Sequence, residues 1–204
     1  MELKTAQAVI ETVVAGHADR DIFLKITLWV TAVLVAAVIL HLLGAFVAKL
    51  RGKRFPERPS WRWWEKIVYA LAVLAVSDLA FTSIHSIILH GQMSSGWLLA
   101  HMAGAGMLLA ALPLLALLWG WECLFHPRSR ATASKFSPLT KCIYWLFLAG
   151  GVTTAASILA SMFPLLDTHS MEIALQVHRL AGLATTAALL LHLYLVLASK
   201  LRLN

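Results

Sequence analysis

Nine histidines lie in a chain of 204 residues that is 60% hydrophobic, and they are the side chains best suited to chemistry. Four of them, His41, His101, His178 and His192, fall inside long apolar runs. An ionisable side chain in a bilayer is costly and is a functional candidate for that reason. A single such histidine is more often a hydrogen bond between helices. Four of them at matched depths favour a bound cofactor instead.

His178 and His192 are 14 residues apart in the last apolar run. At about 100° and 1.5 Å per residue they lie within about 40° of one helix face and about 21 Å apart. That separation covers most of a hydrocarbon layer of about 30 Å. The two imidazoles are too far apart to share one metal ion, and they suit two haems stacked across a membrane. Gly182, one turn after His178, leaves room for a flat macrocycle on the same face.

Each haem needs a second axial ligand at the same depth on another helix. His101 lies as far from the outer end of its run as His178 does, and His41 lies as far from the inner end of its run as His192 does. The depths predict an outer haem on His101 and His178 and an inner haem on His41 and His192. His85 has a similar depth to His101 and competes with it for the outer site.

The elements that carry these histidines must be membrane helices. Only 13% of the residues are charged and the mean hydropathy is +0.77, whereas a soluble domain has about 25% charged residues. Spanning takes about 20 apolar residues, and barrel strands would be shorter and alternating. We therefore predict a single all-α integral membrane domain with five transmembrane helices, a four-helix haem-binding bundle plus one extra N-terminal helix. The predicted segments are an outer N-terminal arm, amphipathic or loosely ordered, at 1–21, and helices at 22–48, 66–89, 97–119, 141–163 and 173–199.

Charge predicts the orientation of these helices. The net charge is +7, and most of the 17 Lys and Arg residues lie in the loops after the first and third runs and in the C-terminal tail. Basic loops stay on the cytoplasmic side, so we expect the N-terminus outside and the C-terminus inside. We read these clusters as orientation signals and expect no nucleic acid partner. Cys123 and Cys142 have neither a disulfide nor an iron–sulfur or zinc spacing.

The segment 176–196, QVHRLAGLATTAALLLHLYLV, resembles the last helix of the di-haem cytochrome b subunits of respiratory formate dehydrogenases, thiosulfate reductases and nickel–iron hydrogenases. The family pattern is a His, a Gly four later and a second His fourteen later, with an aromatic at the next position but one. Here these are His178, Gly182, His192 and Tyr194. The segments KFSPLTK at 135–141 and SSGWLLAHMAGAG, with its His101, also follow the family's order, and the resemblance covers roughly residues 60–200.

The resemblance implies cofactors, partners and a location. It implies two b haems, at least one of them present, and a membrane quinone, menaquinone or ubiquinone, on the inner side near Lys135, Ser137 and His192. It also implies an outer-side redox partner, an iron–sulfur or multihaem subunit, in the cytoplasmic (inner) membrane of a bacterium or archaeon. Arg179 lies near the outer haem, where it either pairs with a propionate or snorkels to the interface.

The sequence departs from the family at three places. Trp64 stands where the family has its inner haem ligand, so either that haem is lost or another helix supplies the ligand, with His41 the candidate. Ser137 and Leu139 stand where formate dehydrogenase subunits have Asn and Gly near the quinone pocket. Asp78 replaces a typical Gly in mid-helix, and it is either a step in proton delivery or a carboxyl hydrogen-bonded to another helix.

These patterns predict an electron-transfer subunit of a quinone-linked oxidoreductase complex. The sequence has no dehydrogenase site, iron–sulfur motif or nucleotide loop, so we do not expect a complete enzyme. Two other functions stay open. One is a haem-poor membrane anchor for a peripheral redox subunit, which the Trp64 departure favours. The other is a small transporter or channel that uses the intramembrane histidines and Asp78 as a polar path.

Overall fold

Five helices make up the structure, a computed structural model that describes residues 2–52, 60–90, 93, 95–124, 136–162 and 166–201. The side chains of residues 2–20 and of His90 are not among those described. The helices are α1 (Glu2–Leu50), α2 (Trp63–His90), α3 (Ser95–Trp119), α4 (Pro138–Met162) and α5 (Thr168–Lys200). No strand occurs in these ranges. The predicted all-α fold with five transmembrane helices is confirmed.

Each helix contains a stretch that is long and apolar enough to cross a membrane. In α1 this stretch is Asp21–Leu50, 30 residues that include an 18-residue window with a mean hydropathy of 2.6, or about 45 Å of helix at 1.5 Å per residue. The chain is therefore a multi-pass membrane protein. The segment 1–21, predicted as a separate arm, is helical from Glu2 onwards and continuous with the transmembrane part of α1.

The helices α2, α3, α4 and α5 form a ring in which each packs on the next and α5 closes on α2. The closest pairs are α2 with α3 and α4 with α5, whereas α1 lies outside the ring against α5. As a result α3 and α5 are diagonally opposite, and the centre of the four-helix bundle lies between them. Side chains of facing helices build cofactor sites in the core of such bundles.

Glycines allow the close approach of the helices in the two most tightly packed pairs, α4 with α5 and α2 with α3. A Cβ on Gly150 of α4 would lie 2.7 Å from Thr185 Oγ1 and 3.5 Å from the Thr185 backbone nitrogen on α5. A Cβ on Gly104 of α3 would collide with the Asp78 carboxylate and approach Leu79 on α2. Small residues allow this approach, and in lipid such packing takes the place of a hydrophobic driving force.

Polar side chains hydrogen-bond to the backbone at the starts of α4 and α5 and just after the end of α3. Asp167 is the N-cap of α5 and accepts a hydrogen bond from Ser170 N at 2.9 Å. This bond and the one to the Ser170 side chain lower the pKa of the Asp167 carboxyl. Ser137 Oγ accepts from Thr140 N at 3.2 Å at the start of α4, where Pro138 suits the first helical position. Lys141 Nζ donates to the Leu124 carbonyl at 2.9 Å, after the end of α3.

Candidate functional site between His101 and His178

His178 is held on α5 by a backbone carbonyl of α4. Its Nδ1 lies 2.9 Å from Thr154 O. A carbonyl oxygen can only accept, so Nδ1 carries the proton and donates it. In the neutral imidazole the other ring nitrogen, Nε2, then keeps its lone pair. Metal-binding histidines have this arrangement, because a bond to one nitrogen fixes the tautomer and the ring orientation for the other.

His101 is held on α3 by a hydroxyl of α2. Its Nδ1 lies 3.0 Å from Thr82 Oγ1 and 3.4 Å from Ser83 Oγ. The Thr82 hydroxyl donates to Asp78 O at 2.7 Å, so its oxygen is left to accept from the imidazole. His101 therefore also carries its proton on Nδ1, and its Nε2 is free to bind a metal.

The two imidazoles face each other across the bundle, with ring centres 6.4 Å apart and ring planes 72° apart. Two nitrogen–metal bonds of about 2 Å and two ring half-widths of about 1 Å give a separation of about 6 Å for one metal between two histidines. Among the described residues no group of three or more His, Cys, Asp or Glu converges on one point. Two imidazoles at this separation have the spacing of the two protein ligands of a haem iron.

A largely apolar cavity surrounds this pair. Its volume is about 150 Å³. Gly182 lines it, and a Cβ there would have Thr154 Cγ2 at 3.9 Å as its nearest neighbour. Arg179 and Phe23 of α1 also line it. The residues fit a flat apolar group that carries negative charge at one edge.

His85 packs elsewhere. Its ring centre lies 4.1 Å from that of Trp97, with the planes 34° apart, and Phe81 covers another side. His85 does not line the cavity, whereas His101 does. Of the two candidates for the outer position, His101 is the one that faces His178.

His192 is buried at the other end of the bundle, with 2% of its surface exposed. Its Nδ1 lies 2.9 Å from the Tyr69 hydroxyl. Its Nε2 is buried and has no hydrogen-bond partner among the described residues. The rings of Phe136 and Tyr144 lie at 5.9 and 6.1 Å from it. Phe136 brings the segment predicted to border a quinone next to His192.

His41 does not meet His192. Its Nδ1 lies 2.7 Å from the Tyr194 hydroxyl, and the two rings pack edge to face at 5.5 Å. Tyr194 follows His192 by two residues, which is about 200° around α5. The structure therefore places His41 on the outside of the ring and His192 inside, and the inner ligand pair is not formed in it.

The remaining predicted residues, Ser137, Lys135 and Asp78, do not share one site in the structure. Ser137 shares a hydrogen bond of 2.7 Å with Thr140 Oγ1 in addition to capping α4, and Lys135 lies outside the described residues. Asp78 Oδ2 is buried without a hydrogen-bond partner in the described part of the chain. The Asp78 carboxylate fills the space beside Gly104 of α3.

The groups that hold the histidines were not predicted from the sequence. Thr82 is one helix turn from Asp78, and its β-branched hydroxyl in an apolar helix was an available signal. The Thr154 carbonyl had no such signal, because every residue has a carbonyl.

No known protein family, curated protein or solved structure matches the chain.

Proposed function

We propose that this chain is a membrane-embedded b-type cytochrome that carries electrons between a redox partner and the membrane quinone pool. The observation that supports it is the opposed pair His101 and His178, each anchored through Nδ1 with Nε2 free, across a cavity in the bundle core. The resemblance of 176–196 to cytochrome b subunits supports the same function.

The chain would do three things for a haem, which when bound supplies reversible one-electron chemistry. His101 and His178 would hold the haem iron through their Nε2 nitrogens. Arg179 offers positive charge to a propionate from the rim of the cavity. The apolar walls, with Ile84 and Leu108 among them, keep water from the site, and burial of this kind helps to set a redox potential.

A second, inner haem on His41 and His192 stays a prediction. His192 offers a buried Nε2 without a partner in the described ranges, which fits a ligand role. His41 does not fit it as placed, because it is hydrogen-bonded to Tyr194 on the outside of α5. Binding this haem would require α1 to move around α5.

The partners and the topology follow from the same proposal. The His101 end faces outwards, towards an iron–sulfur or multihaem redox subunit, and menaquinone or ubiquinone reacts at the His192 end near Lys135 and Ser137. The membrane is the cytoplasmic membrane of a bacterium or archaeon, with the N-terminus outside. Basic loops support this orientation.

Reporter fusions test this orientation, which places the C-terminus inside the cell. A green fluorescent protein fused to the C-terminus should fluoresce, and a C-terminal alkaline phosphatase should be inactive.

The test is the haem content of the purified protein, measured by the pyridine haemochrome assay with a redox difference spectrum. One haem b per chain supports the site between His101 and His178. Two haems b per chain would support the inner site as well. A chain without haem after expression with ample haem supply contradicts the proposal.

A haem-poor membrane anchor is the second candidate. The separation of His41 from His192, together with Trp64 in the family's ligand position, favours at most one haem per chain. The anchor differs from the cytochrome in its reactivity. Quinol analogues should leave its absorption spectrum unchanged, whereas they should reduce the haem of a quinone-linked cytochrome.

A further inference from the structure

The two histidines of the site are anchored by different kinds of acceptor. His178 donates to a backbone carbonyl, which no substitution removes. His101 is next to the hydroxyl of Thr82, a side chain with 1% of its surface exposed. The nearest acceptor for His101 is therefore a replaceable side chain, although the Leu79 carbonyl of α2 also interacts with the ring.

The direction of the hydrogen bonds follows from the geometry around Thr82. Its Oγ1 lies 2.7 Å from Asp78 O and 3.2 Å from Leu79 O, and both are acceptors. The hydroxyl proton is thus directed to the backbone of α2. The oxygen can then only accept from the imidazole, and a β-branched side chain in a helix has few rotamers in which to change this.

We propose that Thr82 is a positioning residue for His101, whose Nδ1–H it accepts so that Nε2 stays unprotonated and faces His178. This inference rests on the proposed haem site for its functional meaning. A hydrogen bond to the distal nitrogen makes a ligating imidazole more basic. A more basic ligand favours the oxidised metal, so loss of the Thr82 oxygen should raise the redox potential of the centre.

Ser83 is a reserve acceptor. Its Oγ lies 3.4 Å from His101 Nδ1, at the limit of a hydrogen bond. In a Thr82→Val variant a small rotation of the ring would bring Ser83 into range. Removal of both hydroxyl acceptors therefore requires Thr82→Val with Ser83→Ala.

The experiment compares Thr82→Val, Thr82→Ser and the Thr82→Val/Ser83→Ala double variant with the wild type. Thr153→Val is the matched control, because Thr153 is exposed and its hydroxyl donates to Ala149 O of its own helix. The readouts are the midpoint potential of the haem and the ¹⁵N resonances of the imidazoles in histidine-labelled purified protein, which report the tautomer with or without haem.

We expect the wild type, Thr82→Ser and Thr153→Val to show His101 with a hydrogen-bonded Nδ1–H and the same potential. The double variant should lose that signal and shift to a higher potential, with Thr82→Val between the two. An unchanged His101 resonance and potential in the double variant would overturn the inference while leaving the haem site in place. If the wild type binds no haem, the proposed function fails, and the His101 tautomer in the variants still decides the role of Thr82.

Discussion

The imidazoles of His101 and His178 lie 6.4 Å apart on α3 and α5, two helices that are diagonally opposite in the ring. Neighbouring helices hold each of them, α2 through Thr82 and α4 through Thr154. All four helices of the bundle therefore contribute to one point at its centre. A group bound there would join the α2–α3 pair to the α4–α5 pair, and ligand binding of this kind stabilises the folded state.

If a haem binds between His101 and His178 as proposed, replacing either histidine should remove it. In His178→Ala or His101→Ala one axial ligand is lost, and the haem content measured by pyridine haemochrome should fall by one per chain. His169→Ala is the matched control, since His169 is exposed in the first turn of α5. Full haem content in both His101→Ala and His178→Ala would show that the haem is bound elsewhere.

The contact between His41 and Tyr194 gives a test of the inner haem. If this contact only docks α1 on α5, His41→Ala and Tyr194→Phe should each increase cross-linker access between the helices and leave the haem content alone. The predicted inner ligation gives another pattern, in which His41→Ala and His192→Ala lower a content of two haems to one and Tyr194→Phe does not. The geometry favours the first pattern.

A side chain at Gly150 should separate α4 from α5. In Gly150→Val the first added carbon would lie within 3.5 Å of the Thr185 backbone, and overpacking typically costs about 1–3 kcal/mol. Gly106→Val introduces the same β-branched residue on α3 where nothing lies within 4 Å. The unfolding temperature in detergent should drop clearly more for Gly150→Val. Equal drops would mean that α4 and α5 do not pack as closely as the structure has them.

The N-cap of α5 should make stability depend on pH. The pKa of Asp167 is lowered in the folded protein by its hydrogen bonds to Ser170. Its contribution is therefore present above the ordinary carboxyl pKa of about 3.9 and is lost as the pH falls through the lowered value. Asp167→Ala should unfold at a lower temperature than the wild type at pH 7, with a smaller difference under strongly acidic conditions.

Asp167→Asn is the control for this effect, because Asn also caps helices and does not titrate. Its advantage over Asp167→Ala should stay constant with pH. A difference between wild type and Asp167→Ala that does not change with pH would contradict an ionised cap.

Features that depend on a single helix could be predicted from the sequence. The number of helices follows from the length of each apolar run, and the spacing of His178, Gly182 and His192 follows from the helical repeat. The starts of α4 and α5 lie a few residues earlier than predicted, because the capping residues Ser137 and Asp167 precede the apolar runs.

The tertiary structure alone decided which residues meet. Depth in the membrane matched His101 with His178 and His41 with His192, but depth fixes only the height of a side chain along its helix. Which helices are neighbours, and how each is rotated about its axis, depends on close contacts such as Gly104 with Asp78 and Gly150 with Thr185. These contacts turn His101 towards His178, and α1, outside the ring, reaches Tyr194 instead of His192.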